Sequence, residues 1–131
     1  MKASVFLLRV ILFVFLPVII GLTLYDWFSP YAPLGITILD FTQCIRPSWN
    51  GLIYNVPDGL WSFSLMSMML IIWKGENSKI RYIWIVLTII FGLGCEFLQS
   101  TDLLRGTFDW WDIVAIVAGM LLSLLILFKR G

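Results

Sequence analysis

The sequence predicts an all-α, polytopic membrane protein with four transmembrane helices and both termini in the cytoplasm. Of its 131 residues, 60% are hydrophobic and only 13% are charged, and the mean hydropathy is +0.95. Soluble domains typically carry about 25% charged residues. The apolar residues form long stretches separated by polar segments. The basic residues are concentrated in every second one of these polar segments. Residues 1–131 are therefore predicted to form a single transmembrane domain.

The first apolar stretch, residues 5–24, is long enough to cross a membrane. A bilayer core of about 30 Å takes about 20 helical residues, each rising about 1.5 Å. We expect a retained helix rather than a signal peptide, because the stretch is long and no clear A-x-A cleavage site follows it. Pro17 removes one backbone donor inside the stretch, so a kink is predicted there.

Residues 25–57 are predicted to form a loop on the outer side of the membrane. This segment holds four of the five prolines, and Asn50-Gly51 is a turn signal within it. Its aromatic residues suit the membrane interface, where such rings concentrate. The apolar piece 34–41 is too short to span, and it is read either as an interfacial helix or as a strand.

Three further helices are predicted over residues 58–73, 80–100 and 110–128. The first of these is short for a span, and its serines are expected to return hydroxyl bonds to the helix backbone. These serines are Ser62, Ser64 and Ser67. Close helix packing is predicted at the small residues of the last two helices. They are Gly92, Gly94, Ala115, Ala118 and Gly119.

The basic residues predict the orientation. Membrane proteins concentrate Lys and Arg in their cytoplasmic loops. With the N-terminus inside, seven of the nine basic residues lie on the cytoplasmic side. These seven are Lys2, Arg9, Lys74, Lys79, Arg81, Lys129 and Arg130, and the outer two are Arg46 and Arg105.

Composition also excludes several functions. The net charge of +1 gives no reason to expect a nucleic-acid partner. Histidine is absent, which removes the commonest metal ligand and the usual general base at neutral pH. Cys44 and Cys95 lack the spacing of a zinc site, and two free thiols are favoured over a disulfide. We therefore expect no metal and no cofactor.

Polar residues are concentrated between residues 94 and 119. Glu96 lies one turn before the end of its predicted helix, and Gln99 shares its face. An acid at the centre of a membrane costs about 2.5–3.5 kcal/mol, so such a side chain normally faces protein or water. Asp109 and Asp112 share a face of the last helix by the same spacing. A hairpin of the two helices is predicted to bring these faces together at the outer boundary.

Two interpretations of this cluster stay open. In the structural one, Glu96, Arg105 and Asp112 form an ion-pair clamp that holds the hairpin. In the functional one, Glu96 and Asp112 are candidate catalytic acid and base. The candidate binding residues are then Arg105, whose planar fork suits phosphate, together with Gln99, Asp109 and Asp58.

The same residues resemble a known family. The pattern ExxQ (Glu96, Gln99), Arg105-Gly106, FDxxD (Phe108 to Asp112) and Gly119 is similar to the VanZ-like family of small bacterial integral membrane proteins. A related small membrane family of unknown function shares it and adds the DGLW found here at residues 58–61. The resemblance covers about residues 58–127. It implies a multi-helix protein of the bacterial inner membrane and cell envelope, in a family linked to glycopeptide antibiotic resistance.

The leading hypothesis is a VanZ-like protein that serves the cell envelope through an outward-facing polar site. One alternative is a non-catalytic small subunit or assembly partner of a larger membrane complex. Another is an enzyme that acts on a lipid-linked envelope substrate. The expected partners are membrane lipids together with that substrate or that complex.

Overall fold

The computed structural model describes residues 3–28, 50–76, 78–101 and 109–128, and this part of the chain is helical and contains no strand. Helices α1 (Ala3–Val10) and α2 (Leu16–Phe28) are joined by a π-helical turn, Ile11–Phe15, into one continuous helix. They are followed by α3 (Asn50–Ile72), α4 (Ser78–Ser100) and α5 (Trp110–Ser123), and α5 continues as a π-helical turn, Leu124–Phe128. The prediction of an all-α protein is confirmed for these residues.

Three of the described helices are long and apolar enough to cross a membrane: Ala3–Tyr25, Lys79–Ser100 and Trp110–Phe128. They match the first, third and fourth predicted spans. Helix α3 has 23 residues and is not one of these three helices.

Helix α3 begins at Asn50 rather than at the predicted residue 58. The predicted loop 25–57 is therefore helical at both ends, and Asn50-Gly51 starts a helix instead of forming a turn. Packing accounts for the difference, because Pro57 is buried and its carbonyl oxygen lies 3.6 Å from where a Cβ on Gly21 of α2 would stand. The piece 34–41 and Cys44 lie outside the described residues.

The π-helical turn lies immediately before Pro17. Within it, the Leu16 N–H donates to the Ile11 carbonyl, five residues back. A proline ring collides with the carbonyl four residues before it in a regular α-helix, and π-turns are a usual way for a helix to absorb such a misfit. The sequence predicted a kink at Pro17, and the structure has a widened turn there.

Helix α3 is the centre of the bundle, since it contacts each of the other described helices. Helix α5 packs mainly on α3 and less on α4, whereas the predicted hairpin paired the last two helices. The buried apolar core lies among α3, α4 and α5. Its residues are Met66, Leu70, Ile71, Ile85, Ile116, Met120 and Leu127.

Small residues make the close contact between α3 and α5. A Cβ on Gly119 would overlap the Gly59 carbonyl and lie 2.5 Å from the Ser62 Oγ. A Cβ on Gly59 would in turn lie 3.1 Å from the Ala115 carbonyl oxygen. The predicted small-residue packing therefore exists at Ala115 and Gly119, but its partner is α3.

The other small residues have different surroundings. A Cβ on Gly92 would lie 2.5 Å from Cε of Met120, so this glycine lets α4 approach α5. Gly94 has open space beside it, and Ala118 is exposed. Close packing was predicted at all three positions, and Gly92 is the one that shows it.

The serines of α3 bond partly to backbone and partly to α5. Ser64 donates to the Leu60 carbonyl at 2.9 Å, as predicted. The Ser62 Oγ lies 2.9 Å from the Gly59 carbonyl oxygen and 3.0 Å from that of Ile116 on α5. The Ser67 hydroxyl lies 2.8 Å from the Ser123 hydroxyl of α5, a contact between helices that the sequence did not predict. Hydrogen bonds between membrane helices are worth about 0.6–2 kcal/mol each.

Candidate functional site

Two aspartates from different helices meet at one end of the bundle. Asp58 lies on α3 and Asp112 in the first turn of α5, and their carboxyl groups are hydrogen-bonded to each other. Because an ionised carboxylate has acceptors but no donor, this bond requires a proton on one of the two groups. The two carboxyl groups are therefore hydrogen-bonded to each other only in states in which one of them holds a proton.

A third carboxyl group comes from α4. Glu96 is only 7% exposed, and its Oε2 is buried without a hydrogen-bond partner among the described residues. The Glu96 carboxyl interacts electrostatically with both Asp58 and Asp112. We refer to Asp58, Glu96 and Asp112 as the carboxyl triad, since three helices each contribute one acid to it.

The triad lies close to the end of the bundle where α4 finishes and α5 begins. Glu96 is four residues before Ser100, the last residue of α4, which is a depth of roughly 6 Å along the helix. Trp110 and Trp111, beside Asp112, are 71% and 61% exposed. Exposed tryptophans concentrate at the membrane–water interface. The positions of these two rings therefore suit the interface, slightly closer to the end of the bundle than the triad.

Asp109 has a capping role instead of a place in the triad. It is exposed, and its Oδ1 accepts a hydrogen bond from the Trp111 N–H at 3.2 Å. Its own carbonyl accepts from the Asp112 N–H at 3.1 Å. An aspartate immediately before an apolar helix is an N-cap signal, and this signal was present in the sequence. The spacing argument that grouped Asp109 with Asp112 missed it.

The other predicted site residues have different positions. Gln99 is half-buried on α4, one turn beyond Glu96. Beside these predicted residues, Asn55 is buried on α3, one turn before Asp58. Arg105 lies outside the described residues, so the clamp between Arg105 and the acids stays a prediction. Cys95 carries a free thiol.

The opposite end of the bundle is basic and aromatic. Arg81 of α4 places its guanidinium carbon 4.2 Å from the centre of the Phe128 ring. The indole rings of Trp73 and Trp84 stack at 5.4 Å. The turn between α3 and α4 closes there, with Gly75 at φ +90°, a conformation that favours glycine. Acidic and basic side chains therefore lie at opposite ends of α4.

The triad can accept hydrogen bonds and hold protons. No group of three or more His, Cys, Asp or Glu side chains within the described ranges is arranged to hold a metal ion. The Asp58 and Asp112 carboxyl groups are hydrogen-bonded to each other, and two carboxyl groups in contact are an arrangement that supports acid–base chemistry.

No family model matches this chain, and neither a curated protein nor a solved structure is significantly similar to it. The structure itself defines the class. The chain is an all-helical, multi-pass membrane protein with three helices apolar enough to span and a triad of acids drawn from three helices.

Proposed function

We propose that the protein is a four-span, VanZ-like component of the bacterial inner membrane that serves the cell envelope by binding a ligand at an outward-facing site, the carboxyl triad. The observation that carries this proposal is the Glu96 Oε2, which is buried without a hydrogen-bond partner in the described structure. Intramembrane acids are rare and usually mark a site of function. The resemblance of residues 58–127 to the VanZ-like family supports the envelope location.

Helix α3 is suited to be the fourth span despite its polar residues. Its 23 residues extend about 34 Å at about 1.5 Å per residue, enough for a core of about 30 Å. The polar side chains Ser62, Ser64 and Ser67 are buried and hydrogen-bonded. Since they face protein rather than lipid, they do not oppose insertion of the completed bundle.

The distribution of charge supports an orientation with both termini inside. Lys74, Lys79 and Arg81 are at the end of the bundle opposite to the triad. By the positive-inside rule this basic end belongs in the cytoplasm. The triad then opens towards the outer face.

Cysteine labelling tests this topology. In the Cys95→Ser variant, a membrane-impermeant maleimide should label Cys44 in intact cells, because Cys44 belongs to the outer segment. A chain with both cysteines replaced by serine and Glu76→Cys added should be labelled only after the membrane is opened. Labelling of Cys44 that requires opened membranes would overturn the orientation.

Glu96→Gln tests the ligand site. The substitution keeps size and shape but removes the charge, so a ligand held by the triad should be lost while the bundle still folds. Native mass spectrometry of the purified protein should show a bound species in the wild type and not in the variant. Glu76→Gln is the matched control, because Glu76 is an exposed acid at the other end of α4, and it should keep the bound species.

Two other outcomes are informative in that experiment. If wild type and Glu96→Gln carry the same species while the variant unfolds more easily, Glu96 is part of a structural clamp and the proposal is wrong. If the wild type and Glu96→Gln give equal mass spectra and are equally stable, the proposed ligand site is also rejected.

Catalysis on a lipid-linked envelope substrate is a second candidate function, favoured by the hydrogen bond between the carboxyl groups of Asp58 and Asp112. The predicted acid and base were Glu96 and Asp112, and the hydrogen bond favours Asp58 as the partner of Asp112. Asp112→Asn removes this acid–base pair while keeping a hydrogen-bonding group. Accumulation of a bound substrate in that variant, absent from the wild type, would indicate turnover.

A further inference from the structure

A groove with a volume of about 510 Å³ lies between α3 and α4. Leu65 and Met69 of α3 line it together with α4 side chains from Trp84 to Phe91. The hydroxyl in its wall, that of Thr88, already donates to the Trp84 carbonyl at 2.8 Å. The surface that the groove offers is therefore almost entirely apolar, and it opens outwards within the span Lys79–Ser100.

The groove is too short to be the seat of another transmembrane helix. From Trp84 to Phe91 it follows two turns of α4, roughly 10 Å by the helical rise. A helix that crosses the membrane would run along a partner for up to about 30 Å. An empty gap would forfeit the van der Waals contacts of its lining. A flexible hydrocarbon chain can fill a short apolar gap of this kind, and the bilayer supplies such chains at this depth.

Arg81 lies one turn before the groove begins. Arg81, Trp84 and Thr88 are spaced i, i+3 and i+7, so they share one face of α4. The Arg81 Nε is buried without a hydrogen-bond partner among the described residues. The Phe128 ring covers the flat face of the guanidinium, whereas the N–H donors of a guanidinium lie in its plane. The Nε–H donor therefore still needs an acceptor.

The charge of Arg81 selects an anion as that acceptor. A guanidinium stays charged in proteins, so this charge does not depend on burial. A phosphate group combines negative charge with oxygen acceptors that match the planar fork of arginine. Arg81 stands at the beginning of the span Lys79–Ser100, the level at which basic residues meet anionic lipid headgroups. One phospholipid can therefore reach both Arg81 and the groove.

We infer that the groove between α3 and α4 binds an anionic phospholipid, with its phosphate on Arg81 and one acyl chain against Trp84 and Phe91. In a bilayer the chain alone gains little, because lipid tails are as apolar as the groove. Selection of the lipid therefore comes from Arg81, and the groove decides where the chain lies. This site is at the opposite end of α4 from the carboxyl triad and does not depend on a ligand there.

Lipids with the same chains and different headgroups test the contact at Arg81. Phosphatidylglycerol has a net negative charge, whereas phosphatidylcholine carries its own compensating ammonium. We expect the purified wild type in detergent to bind phosphatidylglycerol about tenfold more tightly, the effect of one hydrogen bond to a charged group. Native mass spectrometry measures the bound lipid. In Arg81→Gln the preference should fall to about twofold, the effect of the remaining exposed charges.

Lys79→Gln is the matched control for Arg81→Gln. It removes a positive charge from the same end of α4, where the side chain is exposed, so most of the preference should remain. An equal loss in the two variants would indicate only a general attraction of the basic end for anionic lipid, and it would overturn the inference. Thermal unfolding is recorded for each variant. If Arg81→Gln does not fold, Arg81→Lys replaces it, and an unchanged preference without the Nε would equally reject the site.

A brominated acyl chain locates the lipid tail, because bromine quenches the fluorescence of nearby tryptophans. Phosphatidylglycerol with dibrominated chains is added in equimolar amount to the protein in phosphatidylcholine nanodiscs. The absolute loss of fluorescence seen in the wild type should be smaller in Trp84→Phe and in Arg81→Gln. It should be unchanged in Trp111→Phe, which removes an indole at the other end of the bundle.

Three further results would overturn the inference. The first is equal affinity of the wild type for the two lipids. The second is quenching in Trp84→Phe as large as in the wild type, which would place the chain outside the groove. The third is a dimer that forms without lipid and prevents the quenching of Trp84, which would assign the groove to a second copy of this chain.

Discussion

Replacing Gly119 by alanine is expected to destabilise the bundle by about 3 kcal/mol, at the upper end of the usual effect of overpacking. The added methyl would overlap the Gly59 carbonyl and crowd the Ser62 hydroxyl. Backbone atoms of α3 have little freedom to yield, so α3 and α5 must separate. Separation also weakens the Ser62 bond to the Ile116 carbonyl. The measurement is the free energy of unfolding in mixed micelles of a mild and a denaturing detergent.

Gly94→Ala is the matched control for Gly119→Ala. Both glycines lie in helices, but a Cβ on Gly94 meets nothing within 4 Å. Alanine also has a helix propensity about 1 kcal/mol better than that of glycine, so the control should leave stability unchanged or raise it. Equal effects of the two substitutions would show that α3 and α5 do not approach at Gly119.

Replacing Met66 by alanine is expected to destabilise the fold by about 2–5 kcal/mol, the usual range for truncating a buried methionine. Met66 is fully buried in the core between the helices. In a membrane the loss comes from missing van der Waals contacts around the cavity, because lipid chains are as apolar as the side chain.

Met68→Ala is the control for the Met66 substitution. It removes the same atoms two residues along the same helix, where the side chain is 41% exposed. Lipid or detergent can fill the space that it leaves, so a change within about 0.5 kcal/mol is expected, as for substitutions away from packed features. A larger loss at Met68 than at Met66 would mean that α3 is rotated relative to the structure described above.

Hydropathy and length sufficed to predict helices at the first, third and fourth spans. A run of about 20 apolar residues has few alternatives in a membrane. The start of α3 was missed for a physical reason. Asn50-Gly51 and Pro57 are local signals against a helix, and the packing of Pro57 against α2 outweighs them. Local propensity is a weak guide wherever burial decides the conformation.

The arrangement of the acidic side chains was predicted in part. The spacing of Glu96 and of Asp112 correctly indicated acids turned towards a common place, because helical periodicity fixes which face a residue occupies. It does not fix which helix that face meets. The direct partner of Asp112 is therefore Asp58 of α3, while the predicted hairpin grouped Asp112 with Glu96. Asp109 was included because its spacing from Asp112 was given more weight than its position just before a helix.

The order in which the chain is synthesised makes α3 dependent on a later part of the protein. Ser62 and Ser67 hydrogen-bond to Ile116 and Ser123, respectively, both on the last described helix. When α3 first leaves the ribosome, α5 has not yet been made, so these two hydrogen bonds between the helices cannot form. The contact between α3 and α5 is therefore completed only after the later part of the chain has been synthesised.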